Sequence, residues 1–331
     1  MKYIVTGGAG FIGSHLCQKL VSGGKQVVAI DNLVTGNINN VDHLLAGKNF
    51  SVIEKDVRSI THWSKVISKN DVIIHLAATV GVNKVMDDPL ETLENNSATT
   101  RIVLDVALKY NCKVFFASTS EVYGNTDHPF SAETDHVIIP STHCGRAAYV
   151  VGKLTSEHYC NNYFNRYGLP VITARFFNVI GTRQSDAHGM VTPTFIKQAL
   201  SGKAITIYGD GSQTRSFADV DDMVNVVLQL LDIPEAYGNV FNIGGDENIT
   251  ILQLAEYIKH ATGSSSPIVF VPVPYQRTEG RDIHFRRPLL TKLQTMTGWK
   301  PAIHWHQTID KIIEYQVSQQ NKLMESQAAI N

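Results

Sequence analysis

The sequence predicts an α/β fold: a parallel sheet, doubly wound, with helices over both faces. Three observations carry it. Short apolar runs alternate with amphipathic stretches through the first half of the chain. The runs are near-continuously apolar, as suits strands buried on both sides. The first run then flows into a glycine-rich turn, Gly7-Gly8-Ala9-Gly10-Phe11-Ile12-Gly13, that opens a helical pattern.

The predicted strands cover residues 3–6, 26–30, 50–53, 72–76, 113–117 and 171–175. Helical patterns lie between them at 12–22, 95–110 and 148–167. After about Asn178 the texture changes. Loops lengthen at 181–190 and 208–217, and Pro267, Pro272, Pro274 and Pro288 punctuate the chain. Residues 239–243 read as a strand that rejoins the first sheet. The tail after Gln316 is polar and is expected to fray.

Composition bounds the function. The 331 residues are 43% hydrophobic and 18% charged, as in ordinary globular proteins. A net charge of −1 and a pI near 6.9 give no basic excess for nucleic acid. Cys17, Cys112, Cys144 and Cys160 form no C-x-x-C pair, so buried thiols in a reducing compartment are expected. A strand begins at Lys2 or Tyr3, leaving no room for a signal peptide, and no apolar run reaches membrane-spanning length. A cytoplasmic protein without membrane partner is the expectation. His75, His143, His188, His284, His304 and His306 show no ligand spacing, so no metal is expected.

The glycine-rich turn has a physical reading. Gly7, Gly10 and Gly13 let the main chain approach a pyrophosphate, and the helix opened by Phe11 and Ile12 offers it free N–H groups. The next strand ends at Asp31, whose carboxylate accepts ribose hydroxyls and repels a 2′-phosphate. Asn32 follows in place of an arginine, so NAD is favoured over NADP. Asp56 and Val57 follow the third strand, toward an adenine. Leu76, Ala77 and Ala78 end the fourth, where small residues admit a cofactor, and Asn95 is a candidate to bridge backbone groups. The first domain is therefore expected to be a Rossmann-type NAD-binding unit over 1–178. Residues 179–331 are mainly a smaller substrate domain, with 217–245 rejoining the first.

Tyr149 and Lys153 form a Tyr-x-x-x-Lys pair on a predicted helix, where positions i and i+4 share a face. A nearby ammonium and a positive nicotinamide favour the phenolate, so Tyr149 can act as a general base. Lys153 can also hold the nicotinamide ribose.

TGGAGFIG, HLAA, STSEVYG, YVVGK, RFFN and YGDGSQTRSF together resemble the extended short-chain dehydrogenase/reductase family. Within it the chain is similar to NAD-dependent nucleotide-sugar epimerases and dehydratases, over about residues 1–315. The resemblance implies a triad of Thr119, Tyr149 and Lys153. It implies that Tyr149 takes the proton of a sugar C4 hydroxyl while C4 gives hydride to NAD, leaving a 4-keto sugar and a recycled cofactor. Asn178 matches a position beside the sugar diphosphate, and Arg215 an arginine that holds it. Arg281, Arg286 and Arg287 are all open as a second phosphate arginine. The late Gly298-Trp299-Lys300-Pro301 segment implies packing. A homodimer through the helices at 95–110 and 148–167 is also implied.

The reaction divides on "STSEVYG". Ser120 replaces an acidic residue of 4,6-dehydratases and argues against dehydration. A UDP-sugar 4-epimerase needs only the triad and is the first expectation, from the wider motif match. A UDP-glucuronate decarboxylase giving a UDP-pentose is the alternative, kept open by Glu121. A non-catalytic NAD-binding scaffold is the least favoured, since both Tyr149 and Lys153 are present. If the strand continues past Thr119, Glu121 shares its face toward the substrate and Ser120 turns away. Glu121 then works near C5–C6 of the sugar or bonds the backbone of the next loop.

Overall fold

The computed structural model describes residues 1–125, 128–187, 189–273 and 285–328. Seven parallel strands form the central sheet in the order β3-β2-β1-β4-β5-β6-β10. They are β1 (Lys2–Thr6), β2 (Gln26–Asp31), β3 (Phe50–Glu54), β4 (Val72–His75), β5 (Lys113–Thr119), β6 (Val171–Phe176) and β10 (Val240–Ile243). The six expected strands are all present, with ends moved by one or two residues. The seventh, expected near 239–243, adds in parallel beside β6 and completes the sheet.

Helices cover both faces, and residue alternation along the strands decides which neighbours each side chain meets. Phe115 packs with the cluster under α1 (Phe11–Ser22) and α6 (Val220–Leu231). Phe116, one residue on, packs with the opposite cluster under α3 (Pro89–Tyr110) and α4 (Ala147–Tyr167). Helix α3 begins six residues before the expected start. Asp88 caps it, accepting the Glu91 N–H at 3.0 Å, and Pro89 takes the first helical position. A short α2 (Val82–Asp87) precedes it.

The remaining elements build a further apolar cluster, apart from the two that flank the sheet. It includes Phe195 and Ile196 of α5 (Val191–Leu200), Ile205 and Ile207 of β8 (Ile205–Tyr208), and Leu254 and Ile258 of α7 (Ile251–Ala261). Strand β8 pairs in parallel with β12 (Ile268–Val271). Strands β7 (Asn178–Ile180), β9 (Thr214–Asp219) and β11 (Asn248–Thr250) form a small sheet. The expected loop at 208–217 is thus a turn at Gly209 and Gly211, both at positive φ, followed by β9.

Two late helices close the chain. Helix α8 (Thr291–Thr297) leads to Trp299, which packs against the α1–α6 side of the core. Helix α9 (Trp305–Ala328) buries Trp305, Ile309 and Ile312 and then continues past Gln316, where fraying was expected. Its later positions are good helix formers such as Gln, Lys and Glu, which sustain a solvated helix. No helix among the described residues is long and apolar enough to cross a membrane.

Strand β10 should matter to stability although it lies far along the chain. Phe241 is fully buried in the main core. Truncation of Phe241 to alanine is expected to cost about 3–5 kcal/mol, read as a lowered urea midpoint. An unchanged midpoint would mean that β10 is not part of the cooperative core.

Candidate active site

Strand order reverses between β1 and β4, and a cavity of about 910 Å³ opens at the carboxyl ends of the strands. Every residue singled out from the sequence between Gly7 and Arg215 as a candidate for cofactor, catalysis or substrate lines it.

The glycines explain how one wall is made. Gly7 has φ +71°, and a Cβ there would meet the Ala77 nitrogen at 2.9 Å. A Cβ on Gly13 would fall 2.0 Å from the Gly7 carbonyl oxygen. The turn, the start of α1 and the end of β4 therefore touch backbone to backbone. Asp31 closes the wall at the end of β2, accepting N–H bonds from Ala9 at 3.0 Å and Leu33 at 2.9 Å. Burial raises its pKa, and backbone donors from Leu33, Ala9 and Gly10 oppose the rise. A side-chain-free cradle, an open helix N-terminus and a carboxylate at the next strand end fit a dinucleotide such as NAD.

The softer candidates divide. Asp56 lines the cavity, yet its carboxylate is engaged by Arg58 Nη2 at 2.8 Å and Asn32 at 3.4 Å. Asn95 donates to the Thr79 hydroxyl at 2.9 Å. The bridge between backbone groups belongs to its neighbour: Asn96 accepts the Thr79 N–H at 2.7 Å and donates to the Thr79 carbonyl at 3.3 Å. The sequence reading was one residue off, because both asparagines sit in one helical turn and only packing tells them apart.

Tyr149 and Lys153 stand on α4, facing the end of β5. The Lys153 ammonium donates to the Ala117 carbonyl at 2.7 Å. Burial lowers its pKa to about 8, with Cys160 and Glu157 acting the other way. The Tyr149 hydroxyl is hydrogen-bonded to Thr119. Its pKa is raised, first by burial and then by the Glu121 charge, while Thr119, Arg146 and Arg286 oppose the rise. The expected phenolate near neutral pH is therefore not prepared by the protein alone. Burial outweighs the nearby cations, and Lys153 is turned to the β5 backbone.

The end of β5 also differs from expectation. The strand stops at Thr119, and Ser120–Tyr123 form a 3₁₀ turn whose cap is the Thr119 hydroxyl, accepting the Glu121 N–H at 3.2 Å. A 3₁₀ turn rotates successive side chains by a third of a circle. Ser120, expected to look away, consequently lines the cavity together with Thr119 and Glu121.

Among the described residues the Glu121 carboxylate is bonded by side chains and not by a loop backbone. Arg146 grips it through two hydrogen bonds, at 2.7 Å and 3.1 Å, and Arg286 stands 3.7 Å away. Burial pushes its pKa up, but Arg146, Arg286 and Arg215 together bring it down to about 2. Arg286 lines the cavity. Arg287 instead donates to the Asp246 carbonyl at 2.8 Å, and Arg281 lies outside the described residues. Arg215 lines the cavity, while Asp219 accepts from Thr308 and Asp222 from the backbone of Ala302 and Ile303. Asn178 lines it too, donating to the Ser216 carbonyl at 3.5 Å. Arg146 escaped the sequence reading. Its signal was available, since it precedes Tyr149 by three positions at a helix start.

The histidines have other tasks. His75 is buried between Thr6 at 2.7 Å and Thr100 at 3.2 Å, and burial, then Lys153, lowers its pKa to about 3. His304 faces Glu247, and His306 stacks on Trp305. His188 and His284 lie outside the described residues. Among the described residues no group of three or more His, Cys, Asp or Glu converges to hold a metal.

Comparison with known proteins agrees with this geometry. The model of the NAD dependent epimerase/dehydratase family matches residues 3–244. The chain belongs to that family. A UDP-N-acetyl-alpha-D-glucosaminuronate decarboxylase of Bacillus cytotoxicus is 37% identical over 316 residues, covering 95% of this chain and 97% of the relative. UDP-glucuronic acid decarboxylase 1 of Danio rerio is 36% identical over 95% of this chain and 72% of its own length. Among solved structures, the UDP-glucuronic acid 4-epimerase of Bacillus cereus with UDP-glucuronic acid and NAD superposes with TM-score 0.85 at 30% identity, covering 96% of this chain and 100% of that one.

NAD is the cofactor of this family, and the glycine cradle is where the chain tests it most simply. Gly13→Ala forces a methyl into the Gly7 carbonyl. The variant is expected to lose NAD affinity by at least about tenfold in calorimetric titration, since the cradle must open. Wild-type affinity in a folded Gly13→Ala protein would place the cofactor elsewhere.

Proposed function

We propose that this enzyme oxidises a UDP-uronic acid at C4 and that the 4-keto acid then loses its carboxyl group, giving a UDP-pentose. The observation that carries the reading is Glu121, held as a carboxylate by Arg146 and Arg286 next to Thr119. Inversion at C4 asks nothing of such a group. A uronate does: the Arg146, Arg286 and Arg215 guanidiniums that act on Glu121 can also attract the carboxylate of an anionic sugar. Arg146 and Arg286 already face Glu121, so a substrate carboxylate is attracted without being locked in a fork, which would resist loss of CO2. The relatives named above as UDP-uronate decarboxylases support the same reading.

The residues divide the work. Tyr149 takes the proton of the C4 hydroxyl, with Thr119 holding the oxygen. NAD held in the cradle of Gly7, Gly10 and Gly13 would supply the reversible acceptor for the C4 hydride and a positive nicotinamide that favours the Tyr149 phenolate. The 4-keto uronate is a β-keto acid. As the C5–C6 bond breaks, its electron pair moves to C5 and the C4 oxygen, and CO2 leaves. Tyr149, now protonated, and Thr119 face the developing enolate oxygen. C5 then takes a proton from solvent. Glu121, ionised down to about pH 2, is not the donor. Asn178, Arg215 and Arg286 are assigned to the nucleotide diphosphate and sugar.

C4 epimerisation is the second reading, favoured by the likeness to solved 4-epimerases such as that of Thermotoga maritima (TM-score 0.86, 28% identity). It uses the same triad and keeps C6. Incubation with UDP-glucuronate, UDP-N-acetylglucosaminuronate and UDP-glucose, followed by NMR, tests both. The expected products are CO2 and a UDP-pentose from a uronate, with UDP-glucose untouched. A C4 epimer that retains C6 would replace this reading by the second.

Two variants probe the residue roles in that assay. Tyr149→Phe should lower turnover by about 10²–10⁴-fold, and wild-type turnover would remove Tyr149 as the base. Glu121→Gln should slow CO2 release by about tenfold or more while a 4-keto sugar still forms, since only the second step meets the lost charge. Equal loss of both steps would limit Glu121 to holding the fold.

A further inference from the structure

Three consecutive residues at the end of β5 are each fastened to α4. The Ala117 carbonyl accepts Lys153 Nζ at 2.7 Å. The Ser118 hydroxyl donates to Glu157 Oε1 at 2.5 Å. Thr119 is hydrogen-bonded to Tyr149. Tyr149, Lys153 and Glu157 are spaced four apart, so they lie along one face of the helix. The outer two bonds belong to the proposed triad, and the middle one does not.

Glu157 is itself gripped from the next strand. Arg175 donates to Glu157 Oε1 through Nε at 3.0 Å and to Oε2 through Nη2 at 2.8 Å. Sheet register sets Ser118 directly beside Arg175, so one carboxylate ties two strand ends to α4. Arg175 lies over the Tyr123 ring at 4.8 Å, and the Tyr123 hydroxyl donates to Asn242 of β10 at 2.7 Å. All of these groups are buried. A buried ion pair adds little net stability over apolar packing, so its presence behind an active cleft calls for another use.

We propose that Glu157 is a positioning residue: clamped by Arg175, it fixes Ser118 and thereby the placement of Thr119, Tyr149 and Lys153. It rests on the reading of Tyr149 and Lys153 as the proton-handling pair. The arrangement has an electrostatic consequence as well. The groups around Lys153 are Tyr149, Glu157 and Cys160 on α4, His75 on β4 and, behind Glu157, Arg175 on β6. His75 is neutral above about pH 3, and burial keeps the Cys160 thiol protonated. Glu157 is thus the carboxylate that favours the ammonium form of Lys153 against burial.

The test reads Lys153 without needing turnover. Lys153 lines the cavity, and the pH dependence of its reductive methylation, followed by mass spectrometry, reports its ionisation. The wild-type midpoint is expected near 8. In Glu157→Gln it should fall by about one unit, and Glu157→Asp should restore most of the shift. A Glu157→Gln midpoint equal to wild type would overturn the proposal, whatever happens to stability. If Glu157→Gln does not fold, Ser118→Ala removes the strand tie and leaves the ion pair. It should cut kcat by about tenfold with KM little changed on whichever UDP-sugar the enzyme turns over. An unchanged kcat there would overturn the proposal too. A shifted midpoint in a protein that turns over no UDP-sugar would instead contradict the proposed function and leave Glu157 in this role.

Discussion

The reversal of strand order between β1 and β4 is the constraint on which the rest depends. The chain builds β1, β2 and β3 outward in one direction and must cross back to lay β4 on the other side of β1. No connection then covers the carboxyl ends of β1 and β4, and the cavity opens there. The Gly7 turn, Ala77 and the start of α1 close one wall only because three backbones meet without side chains between them. The opposite wall is the end of β5 and the face of α4, stitched together residue by residue.

Burial and charge compete in that wall, and the winner differs by residue. For Glu121 three arginines overcome desolvation and the carboxyl stays ionised. For Tyr149 desolvation and the Glu121 charge prevail over the cations, so the phenol waits for a further positive charge. For Lys153 burial wins in part, leaving an ammonium that is present below about pH 8 and lost above it. Acid and base tasks are thus separated by environment, not by residue type. On the proposed mechanism Tyr149 serves as a base only once the positive nicotinamide is beside it.

Much of this was legible in the sequence, for reasons that can be named. The apolar runs and the spacing of Gly7, Gly10 and Gly13 are local signals, and the sheet and cradle follow from them. Tyr149 and Lys153 were legible because helical spacing fixes a face. What was hidden depends on contacts between distant segments. Arg146 and Arg286 lie far apart in the chain, one before and one well after its midpoint, and only folding brings both to Glu121. The 3₁₀ turn after Thr119 arises from a hydroxyl capping a nearby N–H, which strand periodicity does not foresee. Asn96 was hidden behind Asn95 by a single helical step. The continuation of α9 past Gln316 rests on propensity alone, which a count of polar residues underrates.

The central claim is that the Thr119–Tyr149 end of the cavity makes a 4-keto uronate whose carboxyl group then leaves. Turnover of UDP-glucuronate in D2O tests it most directly, because each reaction marks a different carbon. Decarboxylation predicts a UDP-pentose that keeps its C4 hydrogen and carries one solvent deuteron at C5. A product that retains C6, with C4 inverted and no deuterium at C5, would contradict it.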